Sequence, residues 1–489
     1  MAESEYELVV IGSGPAGHHA AIQAAKLGRR VAIVERLSCV GGVCINTGTI
    51  PSKTLREAVL YLSGFQQRGL YGYSYRVKQN ITIQDLMFRC HHVIEKENDV
   101  YRIQFARNGV DLLEGQASFV DPHTIKVERV GPPALVRAER FVIATGTVPA
   151  VSPDVPVDGT AIIDADGIFN LPKIPATMIV VGAGVIGMEY ACIFSTLGAM
   201  VTVVDARPRL LEFVDGEIVE ALMYHMRENR VTFRSGEIVE RVQRDPAGGV
   251  TADLKSRKTL HADVLLYAVG RQGNTATLNL AAAGLEADER GRLRVGPNFR
   301  TAAPHIFAAG DVVGFPSLAS VSMEQGRVAA ANAFGIPTVT MPALFPYGIY
   351  TIPEISFVGR TEEELTKAGV PYEVGMAHYR EIARGQIIGD TTGRLKLIFH
   401  SETGALLGVH VIGEGATELI HIGQAVMALG GTVRYFVDHV FNYPTLAECY
   451  KVAALAGLNK LGAARAASIG TAVAPLDHSF LSGTPHPGP

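Results

Sequence analysis

The stretch GGVCINTGTIPSK, residues 41–53, holds three chemically distinct side chains: the Cys44 thiol, the Thr49 hydroxyl five positions on, and the Lys53 amine. A thiol acts as a redox relay only with a second sulfur, and a hydroxyl neither closes a disulfide nor donates a thiolate electron pair. Two glycine sets point to a different chemistry. Gly12, Gly14 and Gly17 are followed by Glu35, and Gly182, Gly184 and Gly187 by Asp205, with every interval the same in both. In each, the first glycine permits a tight turn and the second lets the backbone approach a pyrophosphate. The third lets helix and strand pack closely, and the acid stands where a carboxylate accepts hydrogen bonds from a ribose. Free N–H groups and the helix dipole favour phosphate at each helix start. Two dinucleotides follow, most economically a permanently bound flavin in the first site and an exchangeable nicotinamide in the second. IFAAGD (306–311) supports that order, because Asp311 at the end of an apolar strand aims a carboxylate at a ribityl hydroxyl. SLASVSMEQGRVAA (317–330) reads as a helix whose start, at Ala319, faces the flavin pyrimidine and favours the anion formed on reduction. The fifteen histidines and five cysteines (Cys39, Cys44, Cys90, Cys192, Cys449) form no H-E-x-x-H, C-x-x-C or other cluster, so no metal site is expected.

The elements that must position these residues are legible as short β-branched runs, ELVVI (7–11), VAIVE (31–35), MIVVG (178–182) and VTVVD (201–205). They alternate with Ala-rich helical stretches, the pattern of a parallel sheet covered on both faces, so the class is α/β with two Rossmann-like domains. Pro-rich linkers at 149–156 and 171–175 bracket the passage between them, and MPALFPYG (341–348) precedes a C-terminal α+β domain of alternating strands and helices. The last residues, 466–489, are rich in Ala, Gly, Pro and Ser and read as a mobile tail. The 489 residues are 47% hydrophobic and 19% charged with a net charge of −4. That balance supports a large buried core and gives no field to attract nucleic acid or an anionic membrane. The apolar YELVVIGSG (6–14) is far too short to span a bilayer and lacks a basic leader, and the cysteines show no disulfide framework. A cytoplasmic protein is expected.

With these residues assembled, the chain resembles the pyridine nucleotide-disulfide oxidoreductases, among them dihydrolipoamide dehydrogenase, glutathione reductase and mercuric reductase. The likeness runs from about residue 6 to 460 through GSGPAG (12–17), GGVCINTGTIPSK, VIATGTVPA (142–150), VVGAGVIGMEYA (180–191), AVGRQGNT (268–275), IFAAGD and NYPTLAE (442–448). It implies an FAD-binding domain (1–150), an NAD(P)-binding domain (151–270), a central segment completing the FAD domain (271–345) and a dimerisation domain (346–465), hence a homodimer or higher homo-oligomer. Carried over by position, it implies FAD contacts at Gly12, Gly14, Gly17, Glu35, Gly42, Lys53, Ala117, Gly146 and Asp311, with Cys44 packed beside the flavin. Contacts to NAD or NADP are implied at Gly182, Gly184, Gly187, Glu189, Asp205 and Gly270, and Lys53 is implied to pair with Glu189 beside the flavin. A cation near a helix start is disfavoured unless so paired.

Two departures from that family bear on function. Thr49 stands at the position of the flavin-proximal cysteine, and Tyr443 precedes Pro444 where the disulfide-reducing members carry a catalytic His. A phenol titrating near pH 10 is a poor base at neutrality. Cys39 is placed outside the helix start that would make it a substitute partner for Cys44, His439 reads as an ordinary histidine, and Glu448 is left with no His to orient. NTGTIPSKTLREAV and FNYPT look like the transhydrogenase branch of the family, in which a nicotinamide reduces FAD and a second nicotinamide takes the hydride back. Its expected reaction is NADPH + NAD⁺ → NADP⁺ + NADH. Asp205 favours a free ribose, so Arg207, with Arg209 beside it, is the candidate ligand for a 2′-phosphate. The rivals are an NAD(P)H dehydrogenase passing electrons to a quinone, dye or oxygen, a dihydrolipoamide dehydrogenase-like activity, and a flavin-bearing redox sensor.

Overall fold

The computed structural model describes residues 3–72, 74–246, 248–336 and 341–470. Every residue of β2 (Val31–Glu35) is buried, as expected of a strand inside a parallel sheet covered by helices on both faces. It lies between β1 (Glu3–Ile11) and β3 (Asp111–Glu114), with Val9 opposite Ala32 and Ile33 opposite Leu112. The sheet runs β3-β2-β1-β6-β5-β4, where β4 is Gln116–Asp121, β5 Thr124–Glu128 and β6 Ala134–Ile143; β4, β5 and β6 pair antiparallel. The helices between β1 and β3 include α1 (Pro15–Lys26), α2 (Gly42–Asn46), α3 (Thr49–Ser63) and α4 (Ile83–Arg107). The last begins at a capping box in which Thr82 and Asp85 satisfy each other's backbone N–H.

A second parallel sheet follows the same plan with β7 (Ile162–Asp164), β8 (Thr177–Val181), β9 (Met200–Asp205), β10 (Val231–Ser235) and β11 (Val264–Tyr267) in the order β10-β9-β8-β11-β7. Helix α5 (Val185–Thr196) is buried from Gly187 through Thr196, and α6 (Gly216–Glu228) is amphipathic. The chain then returns to the first sheet. β12 (Ile306–Ala308) pairs parallel with β6, Phe307 opposite Val142, and α7 (Ala319–Ala333) packs on α1 so closely that a Cβ on Gly326 would lie 1.9 Å from Ala16 O.

The third sheet is antiparallel, in the order β13 (Tyr347–Ile349), β14 (Ile355–Gly359), β17 (Leu406–Ile412), β16 (Arg394–His400) and β15 (Tyr372–His378). Helices α8 (Glu362–Ala368), α9 (Ala416–Ala428) and α10 (Glu448–Lys460) accompany it. Its joint with the second sheet's layer is apolar, with Phe213 packed against Tyr347 and Phe357, and also carries a buried charge cluster. Lys396 on β16, 1% exposed, lies 2.9 Å from the equally buried Asp215 that caps α6, 3.0 Å from Glu217, and against Glu362 at the start of α8. The three carboxylates could gather a metal ion, but the lysine ammonium sits among them. The segment read as a tail starts differently from that expectation: Ile469 is 2% exposed and packs into the third sheet's core, and Thr432 Oγ1 donates to Gly470 O at 2.9 Å. The remainder, 471–489, lies outside the described residues. Among the described residues no helix is long and apolar enough to cross a membrane.

Candidate active site

The first cleft opens where β1 gives way to α1. Gly12 has φ +102°, and a Cβ there would meet Ala144 O at 2.4 Å, while a Cβ on Gly17 would lie 1.8 Å from Gly12 O. Gly14 faces open space with nothing within 4 Å, so the turn is tight on its protein side and clear on its ligand side. Gly12, Gly14, Glu35, Gly42 and Cys44 line this cleft together with Ala117, Gly146, Asp311 and Ala319. Gly17 lies behind it, in the strand–helix contact. Glu35 accepts from Ser13 N, Ser13 Oγ and Leu37 N at 3.1, 2.6 and 3.1 Å, leaving one of its acceptor positions open.

The far end of the cleft is polar and under-satisfied. Asp311 has the Ser322 hydroxyl at 3.2 Å, and burial pushes its carboxyl above the ordinary range. The hydroxyls of Thr47 and Thr145 line the same cleft, buried and without a partner among the described residues. Buried polar groups in native proteins are nearly always paired, so these atoms mark where a ligand supplies hydrogen bonds. A phosphate-ready helix start, an acid with one free acceptor and orphan hydroxyls fit a flavin dinucleotide. Ser13, Thr47, Thr145 and Ser322 were not singled out from the sequence; all lie within three residues of a motif glycine or of the α7 start, the signal that could have found them.

The second cleft repeats the turn. Gly182 has φ +100° with Ala268 O 2.5 Å from a built Cβ, Gly187 would meet Gly182 O at 1.9 Å, and Gly184 is open. Gly270, φ +107°, is likewise unobstructed, at the end of the sheet beyond β11. Asp205 accepts from Ala183 N at 2.6 Å. Arg207, the candidate ligand for a 2′-phosphate, clamps Asp205: its Nε is 2.9 Å from Oδ1 and its Nη2 2.8 Å from Oδ2. Burial acts to raise the Asp205 carboxyl, but the guanidinium and two backbone N–H groups hold it below the ordinary range. Arg209 points elsewhere, 2.9 Å from Glu363.

Lys53 and Glu189 join the two layers. Lys53 Nζ is 2.7 Å from Glu189 Oε2, and Glu189 Oε1 accepts from Tyr350 N at 2.8 Å. The Tyr350 ring lies under the ammonium, 4.9 Å from centroid to Nζ. Tyr350 carried no signal in the sequence, because its role depends on a contact 161 residues from Glu189. The helix holding Lys53 begins at Thr49, which seats the lysine one turn in rather than at the helix start. Cys44 lies in the short α2. Its thiol is raised by burial and partly offset by a hydrogen bond with Thr49. All five cysteines are free thiols. Tyr443 is 72% exposed, and Glu448 Oε2 is buried with no partner.

The sequence matches the pyridine nucleotide-disulphide oxidoreductase family over residues 6–326 and that family's dimerisation domain over 345–454. It is 57% identical over 461 residues to the soluble pyridine nucleotide transhydrogenase of Mycobacterium tuberculosis (strain ATCC 25177 / H37Ra), covering 94% of this chain and 98% of that one. It is 46% identical over 462 residues to the protein of the same name from Colwellia psychrerythraea, covering 94% and 99%. Among solved structures, LpdA from Mycobacterium tuberculosis superposes with a TM-score of 0.85 at 26% identity over 94% of this chain and 100% of that one. The HOCl-induced flavoprotein disulfide reductase RclA from Escherichia coli gives 0.83 at 28% identity over 92% and 99%. With both domains matched and the glycine turns, acids and Lys53–Glu189 pair in place, the chain belongs to the pyridine nucleotide-disulphide oxidoreductase family.

Proposed function

We propose that the protein is an FAD-dependent pyridine nucleotide transhydrogenase catalysing NADPH + NAD⁺ → NADP⁺ + NADH in the cytoplasm, as a homodimer or higher homo-oligomer built through the antiparallel C-terminal sheet. One observation carries the reading: Cys44 and Thr49 line the flavin cleft together and no other cysteine does, so the cleft holds one sulfur where a dithiol relay needs two. The names of relatives at 57% and 46% identity support it.

FAD, when bound, supplies a centre that takes a hydride from one nicotinamide and yields it to another. The protein's part is binding and orientation. Gly12, Gly14, Gly17 and Gly42 would shape the pyrophosphate cradle, Glu35 the adenosine ribose contact, and Asp311 the ribityl contact. Ala117 and Gly146 would form the cleft walls, and Ala319 would present a helix start to the ring. Gly182, Gly184, Gly187 and Gly270 would receive NAD or NADP, one site serving both in turn. Lys53, held by Glu189, would place a fixed positive charge where negative charge develops on reduction. Neither nicotinamide exchange nor hydride transfer requires a proton from Tyr443 or an electron pair from Cys44.

The reading is tested by mixing purified holoprotein with NADPH and thio-NAD⁺ and following thionicotinamide reduction, with dihydrolipoamide and a quinone as parallel substrates. Thio-NAD⁺ turnover well above the other two supports it. Robust lipoamide turnover, or quinone turnover without thio-NAD⁺ reduction, overturns it.

A further inference from the structure

The acids that end the two equivalent strands differ in one respect. Glu35 is left with a free acceptor position. Asp205 has none: Oδ2 accepts from Ala183 N at 2.6 Å and Arg207 Nη2 at 2.8 Å, and Oδ1 from Arg207 N at 2.8 Å and Arg207 Nε at 2.9 Å. A carboxylate offers about four lone-pair sites, so a ribose reaches Asp205 only if the guanidinium leaves it. The two partners are held differently. Asp205 is rooted, its side chain 6% exposed and held by backbone donors, whereas the Arg207 side chain is 27% exposed. Arg207 Nη1 has no protein partner among the described residues.

The geometry points to Arg207 as a two-position counter-ion that lets one ribose pocket accept both NADP(H) and NAD(H). With Arg207 on Asp205, as in this structure, the carboxylate is neutralised and Nη1 is left without a partner among the described residues. A 2′-phosphate then meets a guanidinium instead of a bare acid, in the charge-assisted geometry that favours arginine over lysine. With Arg207 swung off, Asp205 regains two acceptor positions, the number the 2′- and 3′-hydroxyls of a free ribose require. The two cofactors thus select two rotamers of one side chain, and each binds at the cost of displacing or recruiting the same ion pair. The inference rests on the transhydrogenase reading, which requires one site to serve both nucleotides.

The test is anaerobic stopped-flow reduction of the flavin in the holoprotein by NADPH and by NADH separately, in wild type, Arg207→Gln, Arg207→Lys and Asp205→Asn. Arg207→Gln should raise the apparent Kd for NADPH at least ten-fold and change that for NADH less than about three-fold, which also shows that the variant is folded. Arg207→Lys should fall between, since it keeps the charge but not the fork. Asp205→Asn should reverse the preference, weakening NADH more than NADPH. Equal losses for both cofactors in Arg207→Gln and Arg207→Lys, or an unchanged NADPH Kd, overturn the two-position role. A wild-type flavin that NADPH does not reduce at all sinks the transhydrogenase reading instead, so the two failures are distinct.

Discussion

Lys53 Nζ on α3 lies 2.7 Å from Glu189 Oε2 on α5, and this ion pair spans the layers of the two parallel sheets. Glu189 is 4% exposed, and its two carboxylate oxygens are taken up by that ammonium and by the Tyr350 N–H. Lys53 is more open, with a quarter of its side chain accessible. Replacing Lys53 with Met should lower the rate constant for flavin reduction by about 10- to 100-fold while leaving nicotinamide Kd near its wild-type value, because the charge acts on the transition state rather than on binding. Stopped-flow saturation curves separate the two. A Kd effect with an unchanged limiting rate would remove Lys53 from the chemistry.

Cys44 predicts the opposite outcome. Its thiol is raised by burial, so little of it is the reactive thiolate at neutral pH. Cys44→Ser should keep transhydrogenation within about two-fold of wild type, as expected of a small packing residue. Thr49→Cys, which puts a second sulfur in the cleft that Cys44 lines, should allow an oxidant-dependent disulfide detectable by thiol counting. Loss of most turnover in Cys44→Ser would restore sulfur to the mechanism.

Lys396 should matter for stability rather than chemistry. Removing one partner of a buried ion pair leaves the others uncompensated, at about 3–5 kcal/mol, so Lys396→Met should lower the urea midpoint clearly without changing the flavin spectrum. The pH dependence has a definite sign. Burial works to raise the Asp215 carboxyl, but His410 and Lys396 hold it below its ordinary value. Its contribution is therefore present above about pH 4 and lost as pH falls through the lowered native value. Urea midpoints measured across that range should converge for wild type and Lys396→Met at the acid end.

His18 adds a separate acid sensitivity. It is 6% exposed, packed 4.0 Å from the Tyr101 ring centroid with a buried, unpartnered Nε2, and burial drives its imidazole from 6.5 down to about 4. The unfolded chain binds that proton first, so the stability associated with neutral His18 is full above about pH 6.5 and lost as pH falls toward 4. His18→Leu should flatten the stability profile between those values, where up to about 3 kcal/mol is at stake. Equal slopes in variant and wild type would contradict the assignment.

Much of this architecture is readable from residue order because the glycine turns are local. Gly12 to Glu35 and Gly182 to Asp205 each span one helix and the strand after it, and the demand for glycine at Gly17 and Gly187 is met within that unit, against Gly12 O and Gly182 O. The Lys53–Glu189 pair was reachable only through resemblance, and Tyr350 not at all, because both depend on how separate units dock. Arg207 shows the limit most clearly. Its type and position identify a phosphate ligand as readily as a counter-ion for Asp205, and only the side-chain geometry separates the two resting states. The gathering of Asp215, Glu217 and Glu362 around Lys396 was equally hidden, since its members come from three elements and no spacing links them.

The central claim is that a hydride enters and leaves through nicotinamides with sulfur taking no part. Its most direct test is an anaerobic titration of the oxidised holoprotein with NADPH, followed by its visible spectrum. The account predicts that the oxidised flavin bands bleach in step with one equivalent of NADPH, with no long-wavelength absorption between thiolate and flavin, and that thio-NAD⁺ restores them. A thiolate-to-flavin charge-transfer band at the two-electron stage would contradict it.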